Sequence, residues 1–156
     1  MKLAFLFVGG EKDGWAVDVE REYAKKIGRL VPVEVVRVKP AKLARSSAAH
    51  KTQGEAAGIL KAIRPDDLVV ACHEHGEQVD SRAFSRTLVK LFERGRPRVA
   101  VVVGGPFGLG ETVLARADWT WSFSHLTFSH PLAQAIALEQ LYRALTIWKN
   151  LPYHND

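Results

Sequence analysis

The residues with the clearest chemical potential lie in the last third of the chain, where glycines follow an apolar segment. Residues 104–110 (GGPFGLG) come directly after a valine-rich run that ends at Val103. Because glycine has no Cβ, such a loop lets a ligand approach backbone N–H and C=O groups closely. A polar loop at 122–129 and the ending YHND at 153–156 come later. We therefore expect the site at the end of the chain rather than at its start.

The spacing of the glycines excludes two familiar ligand loops. A dinucleotide fingerprint needs GxGxxG after the first strand, with an acidic residue about 20 positions later. Gly105, Gly108 and Gly110 are spaced differently and follow the fourth predicted strand. A phosphate-binding P-loop is also excluded, because no Gly-Lys-Ser or Gly-Lys-Thr follows. The glycines by themselves fit a plain strand-to-helix turn as well as they fit a ligand-binding loop.

Short apolar strands and amphipathic helices alternate along the chain and must position these loops. This alternation predicts an α/β fold with a mostly parallel sheet and helices on both faces. The valines at 101–103 predict a central strand, and the helix at 131–148 is apolar nearly all round, which predicts cover by the sheet and by a second subunit. The predicted strands are 3–8, 33–38, 68–72, 98–103 and 119–123. The predicted helices are 15–27, 50–63, one with Asp80 or Ser81 as its N-cap, 111–117 and 131–148.

Length and composition limit what such a site can do. The 156 residues, 47% of them hydrophobic, predict a single domain over 1–156. Lys and Arg total 22 against 17 Asp and Glu, a net charge of +5, which is compatible with a polyanion partner and equally with a solvated basic surface. The only cysteine, Cys72, excludes an internal disulfide and a cysteine-rich zinc site, and we expect no metal.

The N-terminal apolar run is short, and no segment approaches the roughly 20 apolar residues of a spanning helix. We therefore expect a cytoplasmic protein with no membrane contact.

Several motifs in fixed order, spread over the whole chain, resemble one known family. They are VVGGP at 102–106, GL at 108–109, Ser124 with LT at 126–127, HPL at 130–132, EQLYRA at 139–144 and PYH at 152–154. The pattern is similar to the RlmH family, bacterial methyltransferases of the SPOUT superfamily. The family uses S-adenosyl-L-methionine to methylate N3 of a pseudouridine in helix 69 of 23S ribosomal RNA. The resemblance implies a C-terminal trefoil knot, a homodimer and 23S rRNA in the ribosome as partner.

The resemblance also implies roles for individual residues. Removal of the proton from N3 could be assisted by a positioned base, for which His130, Tyr153, His154 and Asp156 are candidates. His130 fits equally a structural helix start, and Phe123 and Phe128 fit an ordinary core. The implied catalytic residues are Tyr153, His154 and Arg143, the last for phosphate or for orienting the tail. The implied cofactor-binding residues are Cys72, Gly104, Gly105, Phe123, Ser124, His125, Leu126, Thr127 and Phe128.

Two basic clusters are the expected RNA contacts, with a solvated basic face as the alternative. Gln134 and Asn155 stand where an Arg is common in the family, so the RNA contacts of this chain stay open. A non-catalytic RNA- or ribosome-binding protein that has kept the fold is the alternative function, and a nucleotide-binding oxidoreductase is disfavoured by the glycine spacing. The first cluster is Lys39, Lys42, Arg45 and Lys51, and the second is Arg94, Arg96 and Arg98.

Overall fold

The computed structural model describes residues 1–10, 14–41 and 47–156. Strands and helices alternate through this part of the chain, as the sequence pattern predicts. The strands are β1 (Lys2–Val8), β2 (Val33–Val38), β3 (Leu68–Glu77), β4 (Arg98–Val103) and β5 (Trp119–Trp121). The helices are α1 (Trp15–Gly28), α2 (Ala48–Ala62), α3 (Ser81–Glu93), α4 (Glu111–Arg116) and α5 (His130–Trp148).

The strands form one sheet in the order β2-β1-β4-β3-β5. Every strand pairing in the described ranges is parallel, so the prediction of a mostly parallel sheet is confirmed. All residues of β4 are buried, whereas most of the edge strand β2 is only half-buried. Most of β4 is an unbroken apolar run because helices cover a central strand on both faces of the sheet.

Helices cover both faces of the sheet, as predicted. On one face, α1, α3 and α5 bury residues such as Ile27, Leu88 and Leu141 against Phe5 and Val101. On the other face, α2 and α4 contribute a second apolar cluster that includes Ile59 and Val113. The glycine loop and the polar loop therefore emerge from a sheet that is rigidly packed on both sides.

The third strand is longer than its apolar run predicts, because it continues past Cys72 through polar residues to Glu77. The register against β5 shifts between Cys72 and Glu77, both of which pair with Trp121. Gly76 allows this close approach, since a Cβ there would lie 2.7 Å from the backbone oxygen of Thr120. The predicted strand ends at residue 72, whereas the polar residues that follow belong to an irregular extension of the strand at the edge of the sheet.

Arg98, predicted to be part of the second basic cluster of RNA contacts, is buried. Its side chain bonds Asp67 through two nitrogens, Nε to Oδ1 at 2.8 Å and Nη2 to Oδ2 at 2.5 Å, and bonds Glu34 at 3.0 Å. The hydrogen bonds to Asp67, then those to Glu34, raise the pKa of Arg98 against the effect of burial. With 2% of its surface exposed, Arg98 ties the starts of β3 and β4 to β2 and lies inside the protein rather than on a basic surface, whereas Arg94 and Arg96 are exposed.

Helix α5 ends in a turn that folds the tail back onto the protein. Asn150 adopts a left-handed conformation with φ of 53°, and the Leu151 amide donates to the Thr146 carbonyl at 2.9 Å. Asparagine tolerates this conformation, and Pro152 prevents the helix from continuing. In the part of the chain that the structure describes, α5 and the other helices are too short or too polar to cross a membrane.

Candidate active site

The glycine loop and the polar loop face each other across an open cleft of about 760 Å³. The cleft lies at the carboxyl ends of β3 and β4, where open parallel sheets usually bind ligands. Its volume is in the range of small-molecule sites, and its walls combine aromatic side chains with exposed backbone. The lining residues are Ala48, 72–74, 103–109, 123–124, 126–130 and Ala133.

The glycine loop owes its shape to close packing inside the protein. A Cβ on Gly104 would lie 2.9 Å from the backbone of Gly108, and one on Gly105 would lie 2.9 Å from Glu55 Oε2. Gly108 has a φ of 73° and donates its amide to the Gly105 carbonyl at 3.0 Å. The glycines line the cleft, but the missing Cβ atoms make room for protein atoms rather than for a ligand.

Side-chain hydrogen bonds order the polar loop. The Ser122 hydroxyl donates to the Glu74 carbonyl at 2.9 Å, and the Thr127 hydroxyl donates to the Glu74 carboxylate at 3.0 Å. Phe123 packs edge-on against Trp121 with ring centroids 4.6 Å apart. These contacts attach the loop to the extended end of β3, so its wall of the cleft has a defined position.

The structure brings eight of the nine predicted cofactor residues into the lining of this one cleft: Cys72, Gly104, Gly105, Phe123, Ser124, Leu126, Thr127 and Phe128. The ninth, His125, is exposed and is not part of the lining. Burial raises the pKa of the Cys72 thiol, so this half-buried side chain stays protonated at neutral pH and lines the wall without acting as a nucleophile.

The C-terminal tail is anchored through Tyr153, away from the cleft of its own chain. The Tyr153 hydroxyl donates to the Glu139 carboxylate at 2.8 Å and lies 3.2 Å from the Tyr23 hydroxyl. Burial, followed by these two hydrogen bonds, raises the pKa of Tyr153 above its ordinary value. In this arrangement Tyr153 is a hydrogen-bond donor and is poorly suited to accept a proton.

Arg143 and His154 complete the same cluster. Arg143 bonds Glu139 at 2.7 Å and lies 3.1 Å from Nδ1 of His154, whose Nε2 is 3.3 Å from Asp156. Asp156 also pairs with Arg82 of α3, and this contact lowers the pKa of Asp156. The three predicted catalytic residues therefore lie together near the C-terminal end of α5. The cleft lies at the other end of this helix, where His130 lines it. At about 1.5 Å per residue, His130 and Arg143 are roughly 20 Å apart along the helix.

A cation lies beside Gln134, one of the two positions where the family commonly has Arg. Gln134 is buried, and its Oε1 accepts a hydrogen bond from Arg37 at 3.1 Å. Arg37 also pairs with Glu20 and donates to the Gly9 carbonyl at 3.0 Å. Desolvation lowers the pKa of Arg37 from its usual value. The guanidinium of Arg37 on β2 thus lies next to position 134, where the family commonly has an arginine side chain of its own.

The first basic cluster is described only in part. Lys39 is exposed, and Lys51 is half-buried on α2 with its Nζ 5.0 Å from the ring centroid of Phe107, which lines the cleft. The other two predicted contacts, Lys42 and Arg45, lie outside the described residues. Lys51 therefore connects the predicted RNA-binding segment with the rim of the cleft.

Sequence reasoning missed several residues of the site. His73 and Glu74 line the cleft because β3 extends beyond its apolar run, and Ala48 reaches it from the start of α2. The sequence signal for the longer strand was Gly76, since a glycine within a strand often marks a close approach of another backbone. Glu55, directly behind Gly105, carries no sequence signal, because it is one of many charged residues on helices.

Comparisons with known proteins agree with this fold. The family described as "Predicted SPOUT methyltransferase" matches residues 1–154. A protein of Bdellovibrio bacteriovorus called "Ribosomal RNA large subunit methyltransferase H" is 39% identical over 155 residues, covering 99% of each chain. Proteins of the same name from Anaeromyxobacter sp. (strain K) and Parabacteroides distasonis are 39% and 35% identical, with 99% and 100% of each chain covered.

Two solved structures share the fold at low identity. A probable methyltransferase from Bordetella pertussis Tohama I has a TM-score of 0.55 and 18% identity, covering 92% of this chain and 95% of that one. A probable methylase family protein from Haemophilus influenzae Rd KW20 has a TM-score of 0.54 and 14% identity, with 99% and 70% covered. At these identities the likeness concerns the fold alone.

Proposed function

Because this chain belongs to the SPOUT methyltransferase family, we propose that it transfers the methyl group of S-adenosylmethionine to N3 of a pseudouridine in helix 69 of 23S ribosomal RNA. The family predicted from the sequence motifs is confirmed. The observation that carries the proposal is similarity over nearly the full length to proteins named ribosomal RNA large subunit methyltransferase H. The cytoplasmic ribosome is the proposed setting, and one domain over 1–156 the proposed unit.

The residues of the cleft fit S-adenosylmethionine. A volume of about 760 Å³ accommodates a ligand of this size. Phe123, Leu126 and Phe128 offer apolar walls to an adenosine, and the backbone of Gly104 and Gly105 offers hydrogen-bonding groups to its polar edges. Ser124, Thr127 and Cys72 complete the proposed pocket, while His125 would have to reorient to take part. When bound, the cofactor supplies a methyl group on a positively charged sulfur.

The protein's own part in the reaction is alignment and removal of the N3 proton. Holding donor and acceptor in line supplies much of the rate in such a displacement. Of the two predicted catalytic residues of the tail that could accept a proton, His154 is the better candidate for the base, because the raised pKa of Tyr153 keeps that hydroxyl protonated. Arg143 holds His154 on one side and Glu139 on the other, so it would orient the tail.

A homodimer is proposed to bring the tail and the cleft together. In one chain the tail cluster lies at the far end of α5 from the cleft, so a second copy must supply it. Apolar side chains exposed on and beside α5 support such an interface: Leu132 is 46% exposed, Trp148 37% and Leu151 43%.

Removing residues 152–156 tests this arrangement. We expect loss of methyl transfer with cofactor binding and dimerisation retained, and replacement of the exposed Asn155 by alanine serves as the matched control. Unchanged turnover after the longer truncation would reject a catalytic tail.

The trefoil knot implied by the family resemblance is also part of the proposal. The glycine loop and the polar loop line the same cleft, and α5 packs between α1 and α3 after the chain leaves the edge strand β5. This course is compatible with threading of the C-terminal segment. The proposed cofactor pocket would then be formed by the knotted part of the chain.

Methyl transfer from labelled S-adenosylmethionine to intact ribosomes and to free 23S rRNA tests the function. We expect label in ribosomes, and mass spectrometry of the digested RNA should identify N3-methylpseudouridine. Calorimetry with the cofactor distinguishes the alternative, because a non-catalytic RNA-binding protein would bind ribosomes without binding S-adenosylmethionine. Label in another nucleoside would keep the enzyme class and reject the proposed target.

A further inference from the structure

Glu55 is a buried carboxylate with an unusual position. Only 2% of the residue is exposed, and Oε1 accepts a long hydrogen bond of 3.4 Å from the Ala41 amide. Within residues 1–10, 14–41 and 47–156, Oε2 has no hydrogen-bond partner. Leaving a buried charged oxygen unpaired is costly, and such groups are rare unless they have a function.

This carboxylate lies directly behind the glycine loop of the cleft. A Cβ on Gly105 would lie 2.9 Å from Oε2 and 3.2 Å from Oε1 of Glu55, and Gly105 lines the cleft. Glu55 itself is not part of the lining, so it is separated from the cleft by the thickness of one glycine. Neighbouring α2 residues fix this spacing, because the Thr52 hydroxyl donates to the Phe107 carbonyl at 3.2 Å and Ala56 packs against Gly110.

An ionised carboxylate in this position would act on the cleft without touching its occupant. Gly105 packs between this carboxylate and Val8, whose Cγ1 would lie 3.0 Å from a Cβ on Gly105, and Ala56, the next residue on α2, belongs to the apolar cluster beneath that face of the sheet. Screening by water is weak at a buried site, so its field extends into the cleft more strongly than that of a surface carboxylate. A positively charged ligand is therefore favoured over a neutral one of the same shape.

We propose that Glu55 makes the cleft select the charge of the cofactor, favouring cationic S-adenosylmethionine over neutral S-adenosylhomocysteine. This inference rests on the proposed function. In the reaction the methyl group passes from sulfur to N3, the electron pair of the broken C–S bond stays on sulfur, and N3 releases its proton. The sulfur loses its positive charge, so the attraction of Glu55 is lost in the product and release is promoted.

Calorimetric dissociation constants for both ligands, measured in the wild-type protein and in Glu55→Gln, test the proposal. Coulomb attraction across on the order of 10 Å, at an effective dielectric constant of about 20, corresponds to roughly tenfold in a binding constant. We expect Glu55→Gln to lose about tenfold in its preference for S-adenosylmethionine while binding S-adenosylhomocysteine as before. Glu111→Gln is the matched control, since it removes the same charge from an exposed position at the start of α4 and should leave the preference unchanged.

Equal weakening of both ligands, or an unchanged preference, in Glu55→Gln would overturn the proposal and leave Glu55 a structural residue. A second measurement needs no variant. Sinefungin carries a protonated amine in place of the sulfonium, so the wild-type protein should bind it and S-adenosylmethionine about tenfold more tightly than S-adenosylhomocysteine. Equal binding of all three would also overturn the charge selection. Failure of the wild-type protein to bind any of them would instead reject the proposed function itself.

Discussion

Replacement of Arg98 by alanine should destabilise the protein strongly without acting through RNA. The guanidinium makes two hydrogen bonds to Asp67, one to Glu34 and one to the Ala62 carbonyl at 3.0 Å. The Asp67 side chain is fully buried, so the variant leaves a carboxylate without its cation. Breaking a buried pair in this way costs roughly 3–5 kcal/mol.

That loss is a large part of the 5–15 kcal/mol that stabilises a typical domain, and it should lower the melting temperature by roughly 10 °C or more. Urea unfolding at a fixed protein concentration measures it, because stability of an oligomer depends on concentration. Arg96→Ala is the control, since Arg96 is exposed and its replacement should change stability by less than about 0.5 kcal/mol.

A double variant separates the charge from the lost volume. Arg98→Met combined with Asp67→Asn should recover part of the stability, because the uncompensated carboxylate is then neutral. An Arg98→Ala protein that unfolds within about 1 kcal/mol of the wild type, but binds ribosomes weakly, would refute the structural role and restore Arg98 to the RNA contacts.

Three further predictions concern the site and the ion pairs. Gly105→Ala should weaken S-adenosylmethionine binding at least tenfold in calorimetry, because the new Cβ would lie 2.9 Å from Glu55 and 3.0 Å from Val8; Gly28→Ala, whose Cβ would meet nothing closer than 3.6 Å, is the control. Joint charge reversal of Lys39 and Lys51 should weaken ribosome binding and reduce its salt dependence by a slope of roughly 1.5–2, and an unchanged slope would favour a solvated basic surface. The hydrogen bond from Lys2, then the one from Arg98, lowers the pKa of Glu34, so the ionised carboxylate stabilises the protein above the ordinary pKa of 4.5 and this stabilisation is lost as pH falls below that value. Between pH 5 and pH 3, Glu34→Gln should therefore lose less stability in urea unfolding than the wild type. Equal losses in the two proteins would contradict this prediction.

The strands and helices could be predicted closely because their patterns are local. The valines of β4 indicated a strand covered on both faces, and Asp80 is the N-cap of α3, accepting a hydrogen bond from the Ala83 amide at 2.7 Å. The end of β3 could not be predicted in the same way, since its polar residues pair with a short edge strand only through an irregular register.

The cleft was predictable from its two loops, but its surroundings were not. Glycines and small polar residues after buried strands indicated where a ligand could lie, and the family resemblance implied which one. The placement of Arg98 inside the protein and of Glu55 behind Gly105 depends on partners distant in the sequence, such as Asp67 and Val8. No local pattern distinguishes these buried charges from the exposed ones nearby.

The tail shows the same limit at the end of the chain. A terminus without regular structure is expected to fray, yet Tyr153 packs against Tyr142 with ring centroids 4.8 Å apart and bonds Glu139. Those partners lie on one face of α5, so the anchoring follows from tertiary packing rather than from the composition of residues 152–156.

A crystal structure of the protein with S-adenosylhomocysteine tests the central claim most directly. We predict the ligand in the cleft, in contact with the backbone of Gly105 and with the loop at 123–128, and with Tyr153 and His154 of a second copy approaching it. A ligand bound elsewhere on the protein, or a cleft in which no second copy brings its tail near the ligand, would contradict the proposed active site.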